Sequence, residues 1–209
     1  MRLPDPPLLL ITDRKQARKP LADILGAAFA AGCRWASVRE KDLPVADQIA
    51  LAQSLLPLAR QFGARLTLHG DTAMALRAGV DGVHLASGGD VAAAHAALRS
   101  DALIGLSVHS PADAATVSDA DYIVAGPAFE TASKPGYGPA LSASGIAVIA
   151  KRSRVPVIAV GGIAADNLLG VIQAGAAGIA VMGGIMRAQD PSAEVDDLLK
   201  ALRAQPRPR

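Results

Sequence analysis

Two glycine pairs in the last third of the chain carry the clearest chemical signal. Val155 to Val160 is an apolar, β-branched run that ends in Gly161-Gly162, and Gly178 to Met182 is a second run that ends in Gly183-Gly184. Glycine lets the backbone turn sharply and brings N–H groups close to a ligand. Backbone donors at the start of a helix attract anions, phosphate above all. Cations that could meet such an anion are Arg39, Lys41 and Lys134, and arginine in particular matches the geometry of phosphate oxygens. His69 could move a proton near neutral pH, and Glu130 could be a second acid–base group or pair with Lys134. Ser107, His109 and Thr131 add polar groups at the ends of apolar runs. His84 alternates with Val83 and Leu85 inside a strand and reads as buried and hydrogen-bonded. Asp71 and Asp90 could share a magnesium ion, but their distance in sequence does not define a site. No nucleophile motif, cysteine–histidine pair or metal-ligand spacing stands out.

These residues need a scaffold that brings them to one face. Short apolar runs bounded by turn residues, each followed by a segment with helical spacing, recur along the whole chain. The predicted strands are 8–12, 35–39, 65–68, 82–85, 103–108, 122–125, 155–160 and 178–182. Predicted helices follow at 21–31, 45–62, 72–78, 91–99, from Pro111, 142–152, 165–174 and 191–203. Residues 126–139 read as a long loop, and loops of that length in a compact fold tend to be functional. Eight βα units without a composition break predict a single (β/α)₈ barrel, with an open doubly wound sheet as the alternative. In a barrel the loops after the seventh and eighth strands are the usual phosphate site. Asp13, Arg39, Glu40, Lys41, His69, Asp71, Ser107, His109, Thr131 and Lys134 would join them at the strand exits.

Composition narrows the class further. The chain has 209 residues, 51% hydrophobic but only 3% aromatic, and a formal net charge of +2, which fits one domain built on aliphatic side chains. Residues 1–7 and 204–209 read as flexible tails. The basic residues are scattered, so no nucleic-acid groove is expected. No run approaches the roughly 18 apolar residues of a membrane span, and the N-terminus does not read as a signal peptide. The single cysteine, Cys33, excludes an internal disulfide and suits a reducing compartment. The expectation is a cytoplasmic protein acting on a small phosphate-bearing molecule, with a homo-oligomer left open.

Several stretches then resemble one family. They are Val38-Arg39-Glu40-Lys41, Asp81 to Leu85, Gly105 to His109, Ala120 to Ile123, Gly126 to Thr131 with Lys134, and Ala159 to Ile163. Together, from Ile11 to Ile185, they resemble the barrel family of thiamine phosphate synthase and the TenI-type thiazole tautomerase. The resemblance implies an enzyme of thiamine biosynthesis that binds a thiazole phosphate at the two Gly-Gly turns. The family's synthases join a pyrimidine pyrophosphate to the thiazole nitrogen with magnesium on the leaving group, and their metal aspartates correspond to Gly70 and Gly89. The asparagine of that branch corresponds to His69, and its glutamine to Ser37. The tautomerases need no metal and shift a proton to make the ring aromatic. Gly70, Ser107 to Ser110, Leu85 to Gly88 and Phe129 to Thr131 resemble that branch, but its catalytic histidine corresponds to Pro127. The expectation drawn from this is a tautomerase-type isomerase without cofactor, with His69 and Glu130 catalytic. The alternative is a divergent, magnesium-using synthase, and a second alternative is a non-catalytic regulator that binds thiazole phosphate.

Overall fold

The computed structural model of the chain describes residues 3–131 and 140–204. Eight parallel strands close into a barrel in the order of the sequence: β1 (Leu8–Ile11), β2 (Trp35–Val38), β3 (Arg65–His69), β4 (Gly82–Leu85), β5 (Leu103–Val108), β6 (Tyr122–Ala125), β7 (Val157–Val160) and β8 (Gly178–Val181), with β8 pairing back onto β1. The described helices are α1 (Leu21–Ala30), α2 (Val45–Gln61), α3 (Thr72–Ala78), α4 (Val91–Ala97), α5 (Pro111–Thr116), α6 (Ser142–Arg152), α7 (Leu168–Gln173), α8 (Gly183–Met186) and α9 (Pro191–Arg203). The predicted (β/α)₈ barrel is the observed one.

The strands read as predominantly apolar runs because both their faces are covered. Side chains alternate between the two faces. Leu8, Leu10, Ala36, Val38, Leu66, Leu68 and their equivalents point out against the helices. Leu9, Ile11, Trp35, Leu103, Tyr122, Val124, Ile158 and Ala180 fill the barrel itself. Each fully buried aliphatic side chain contributes about 1.5–3 kcal/mol. Trp35 and Tyr122 meet edge to face with ring centroids 4.7 Å apart. Tyr122 fits because its neighbour is Gly105, where a Cβ would stand 2.1 Å from the phenol ring carbon. Above this layer the barrel divides. Thr67, His69, His84 and Ser107 make one side polar, while Val124, Val160, Ala180 and Ile11 keep the other apolar.

Three local features differ from the sequence expectation. His69 is the last residue of β3 rather than part of a turn. The helix after β7 starts at Leu168, not Ala165, because the Asn167 side chain accepts from the Ala164 N–H at 2.9 Å and donates to the Gly162 carbonyl at 2.9 Å, folding 163–167 into a turn. The two glycine pairs are not conformational copies. Gly161 and Gly162 have φ of 102° and 62°, whereas Gly183 and Gly184 form the first turn of α8. Among the described residues no helix is long and apolar enough to cross a membrane.

Candidate active site at the carboxyl ends of the strands

The strand exits enclose a cavity of about 380 Å³. Its lining includes Arg39, Lys41, His69, Ser107, His109, Thr131, Gly161, Gly162, Gly183 and Gly184, all singled out in the sequence. Lys134 lies outside the described residues, as does most of the long 126–139 loop. The floor combines the polar and apolar halves of the upper barrel layer, a surface suited to a flat ring with heteroatoms on one edge.

The polar half is a row of hydrogen-bonded side chains across adjacent strands. Ser37 Oγ lies 2.8 Å from His69 Nδ1. The His69 and His84 rings face each other at 4.3 Å, because the two residues are paired in the β3–β4 register. His84 Nε2 lies 2.9 Å from Ser107 Oγ, and its Nδ1 lies 3.3 Å from the Tyr122 hydroxyl. His84 is therefore buried and hydrogen-bonded as expected, with 2% exposure, yet it also lines the cavity. Burial, then the positive charges of Lys41 and Arg39, depresses its pKa to about 3, so the ring is neutral at any working pH. His69, 8% exposed, lies beside it at the cavity wall.

The run Arg39-Glu40-Lys41 splits in two directions. Arg39 and Lys41 line the cavity, while Glu40 is 2% exposed and turned away beneath the β1–α1 loop. There both Glu40 oxygens accept from the Arg14 N–H at 3.1 Å. The Arg39 N–H donates to Thr12 Oγ1 at 3.0 Å. Burial, the largest influence, raises the Glu40 pKa. Lost hydration, then the Arg39 charge, lowers that of Lys41. Glu40 thus acts as a buried brace that aims its two basic neighbours at the cavity.

Several candidates are placed elsewhere. Glu130 is exposed and outside the cavity lining, because the loop after β6 is pinned by its backbone. The Ala128 N–H donates to the Val160 carbonyl at 2.8 Å, and that of Phe129 to the Gly161 carbonyl at 3.0 Å. Those bonds hold Pro127 at the wall instead. In this arrangement Glu130 does not reach the cavity that an acid–base role would require. Asp13 stays in its own turn, accepting from Lys15 and Gln16. Asp71 and Asp90 cap α3 and α4, accepting from the N–H groups of Met74 at 2.8 Å and Ala93 at 2.9 Å. A magnesium pair built on them does not fit. Among the described residues no group of three metal-binding side chains exists. At the neighbouring glycines, a Cβ on Gly89 would meet Leu85 Cβ at 2.7 Å, whereas one on Gly70 would meet the movable ends of Leu68 and Met74 at 2.8 and 2.9 Å.

Gly162 has a packing role as well as its place in the cavity lining. A side chain there would strike the Glu130 carbonyl at 2.4 Å and Phe129 Cβ at 2.8 Å. Loop packing and a left-handed φ therefore require glycine here whether or not a ligand oxygen approaches it. Sequence reasoning missed Asn167, which shapes the β7 exit, and Arg187, which lines the cavity after α8. The available signal for Arg187 was its spacing, four residues after Gly183 and so on the same helix face.

A closed eight-stranded barrel with a cavity at the carboxyl ends of the strands is the architecture of (β/α)₈ enzymes. The chain belongs to the thiamine monophosphate synthase family, whose profile matches residues 8–185. It is 41% identical over 199 residues to a putative thiamine-phosphate synthase of Geobacter sulfurreducens, covering 93% of each chain. It is 38% identical to the thiamine-phosphate synthase of Roseiflexus sp. strain RS-1, over 88% of this chain and 80% of the relative. Among solved structures it resembles thiamine phosphate pyrophosphorylase from Pyrococcus furiosus, with a TM-score of 0.81, 29% identity and coverage of 94% and 95%.

Proposed function

We propose that this protein joins two phosphorylated heterocycles, a pyrimidine pyrophosphate and a thiazole phosphate, as a divergent thiamine-phosphate synthase. The observation that carries this reading is that one cavity has two separate ends suited to anions. One is formed by the glycine turns after β7 and β8, the other by Arg39 and Lys41 after β2. The names of the 41% and 38% identical relatives point the same way. In the reaction the thiazole nitrogen donates its lone pair to the methylene carbon of the pyrimidine. The bond from that carbon to the pyrophosphate oxygen breaks, its electron pair leaves with the pyrophosphate, and the ring becomes a thiazolium cation. No proton needs to move. Arg39 and Lys41 would hold the departing anion and offset its charge. A floor histidine that stays neutral, His84, places no positive charge beneath the developing cation. No step is assigned to magnesium, because Asp71 and Asp90 are used as helix caps.

A second reading, the thiazole tautomerase, is favoured by one observation: His69 lies at the cavity wall, bonded to Ser37 and packed at a tilt against His84. It could pass a proton between ring positions. The expected tautomerase histidine is absent, with Pro127 at the wall, so His69 would act alone. One experiment separates the readings. Purified protein is given the pyrimidine pyrophosphate with thiazole phosphate, and separately the non-aromatic thiazole carboxylate phosphate. Release of pyrophosphate with formation of thiamine phosphate supports the synthase. Aromatisation without condensation would replace it with the tautomerase, and tight thiazole phosphate binding without either turnover would leave a regulator.

A further inference from the structure

We infer that Arg187 supplies the charge at the phosphate end of the cavity and makes the site select a phosphate ester over the uncharged alcohol of the same ring. The inference rests on the reading of the β7 and β8 exits as an anion site. It starts from a shortage. Helix α8 has only four residues, too short to build much of a dipole, and glycine amides carry no net charge. Arg39 and Lys41 follow β2, across β1 from this end. Among the described residues lining the cavity, Arg187 is the arginine or lysine contributed after β7 or β8.

Its position is built from both sides. Arg187 closes α8, its N–H donating to the Gly183 carbonyl at 3.0 Å, so the side chain leaves the same rim as the glycine pair. The guanidinium donates to the Gln16 amide oxygen. The Gln16 amide nitrogen in turn donates to Asp13 Oδ2 at 2.5 Å, and the Gln16 N–H donates to the Asp13 carbonyl at 3.1 Å. The Arg18 N–H then donates to the Met186 carbonyl at 3.0 Å, fastening the β1–α1 loop to α8 itself. The Gln16 amide oxygen orients the guanidinium without itself bringing a negative charge. The rigid guanidinium fork then matches two oxygens of a phosphate. Asp13 and Gln16 are positioning residues, and Arg187 touches the ligand.

The test is calorimetric binding of a thiazole phosphate and of the corresponding thiazole alcohol to wild type, Arg187→Met, Arg187→Lys and Gln16→Ala. Circular dichroism and thermal melting verify the fold of each variant. Wild type should prefer the phosphate, and Arg187→Met should cut that preference at least ~10-fold with alcohol affinity unchanged. Arg187→Lys should keep part of it, since it keeps the charge and loses the fork. Gln16→Ala should fall between wild type and Arg187→Met, a loss that a merely structural role for Gln16 would not produce. A wild type that prefers the phosphate while Arg187→Met keeps the full preference would overturn the role of Arg187 and leave the glycine turns as the anion site. A wild type with no preference for the phosphate would overturn both.

Discussion

His84 has both ring nitrogens engaged and almost no contact with bulk water, and this gives it a measurable pH signature. Its pKa is about 3 in the fold against roughly 6.5 in an unfolded chain. Between those values the unfolded chain binds a proton that the native protein does not, so stability rises with pH through this window. It is fully present above pH 6.5 and is lost as the pH falls towards 3, by up to about 1.4 kcal/mol per pH unit. Melting temperatures of wild type and His84→Gln from pH 4 to 7 should therefore converge towards the acid end. Parallel profiles would mean that His84 is not the source. The caps make a second prediction. Asp71→Asn keeps an acceptor for the Met74 N–H but removes the carboxylate, so it should melt close to wild type and retain activity. Asp71→Ala should lose about 0.5–2 kcal/mol of stability. Inactivity of a folded Asp71→Asn protein would restore the metal reading. Both caps were visible in the sequence as an aspartate just before a helical run. The inward face of His69 was also legible, since Thr67 and His69 alternate with two leucines. Its pairing with His84 depends on the register between two strands, which one strand's pattern does not contain.

At the level of elements, the identical Gly-Gly pairs behave differently, and substitution should expose this. Gly162→Ala places a Cβ against the Glu130 carbonyl in a left-handed conformation. That conformation alone costs an L-residue roughly 1–2 kcal/mol, and the loop after β6 must also move. In Gly184→Ala the new methyl group meets only Glu194 Oε1, at 3.8 Å, and a helical glycine is replaced by a better helix former. Chemical denaturation should show a clear loss for Gly162→Ala and none for Gly184→Ala. Equal losses would contradict the distinction. The strands were readable because burial on both faces leaves them few polar positions, and eight such runs pointed to the barrel. The short helix α8 was not readable. Gly183 and Gly184 are poor helix formers, and the turn is held partly by the distant Arg18 N–H, a tertiary bond that overrides local propensity.

For the molecule as a whole, the barrel interior offers its own reporter. Trp35 is the sole tryptophan, fully buried against Tyr122, and its indole N–H has no hydrogen-bond partner among the described residues. Its emission should change only when the barrel opens. Urea unfolding followed by tryptophan fluorescence and by far-ultraviolet circular dichroism should therefore give coincident transitions. Fluorescence changing ahead of helix content would mean that the sheet opens while the helical ring persists. The sequence identified Trp35 as a strand residue, but its inward direction and its aromatic partner on β6 arise only once the sheet is curved and closed.

Closure itself has a consequence for how the protein is made. β1 is hydrogen-bonded on one side to β2 and on the other to β8, the strand encoded last. At roughly 5–20 residues per second on the ribosome, the stretch from Ile11 to Gly178 takes on the order of 10–30 s to synthesise. Throughout that interval the second edge of Leu8-Leu9-Leu10-Ile11, the most apolar strand in the barrel, has no native partner. An unpaired edge of that kind recruits other strands, so the nascent chain is at its most vulnerable along β1, long after that strand has left the ribosome.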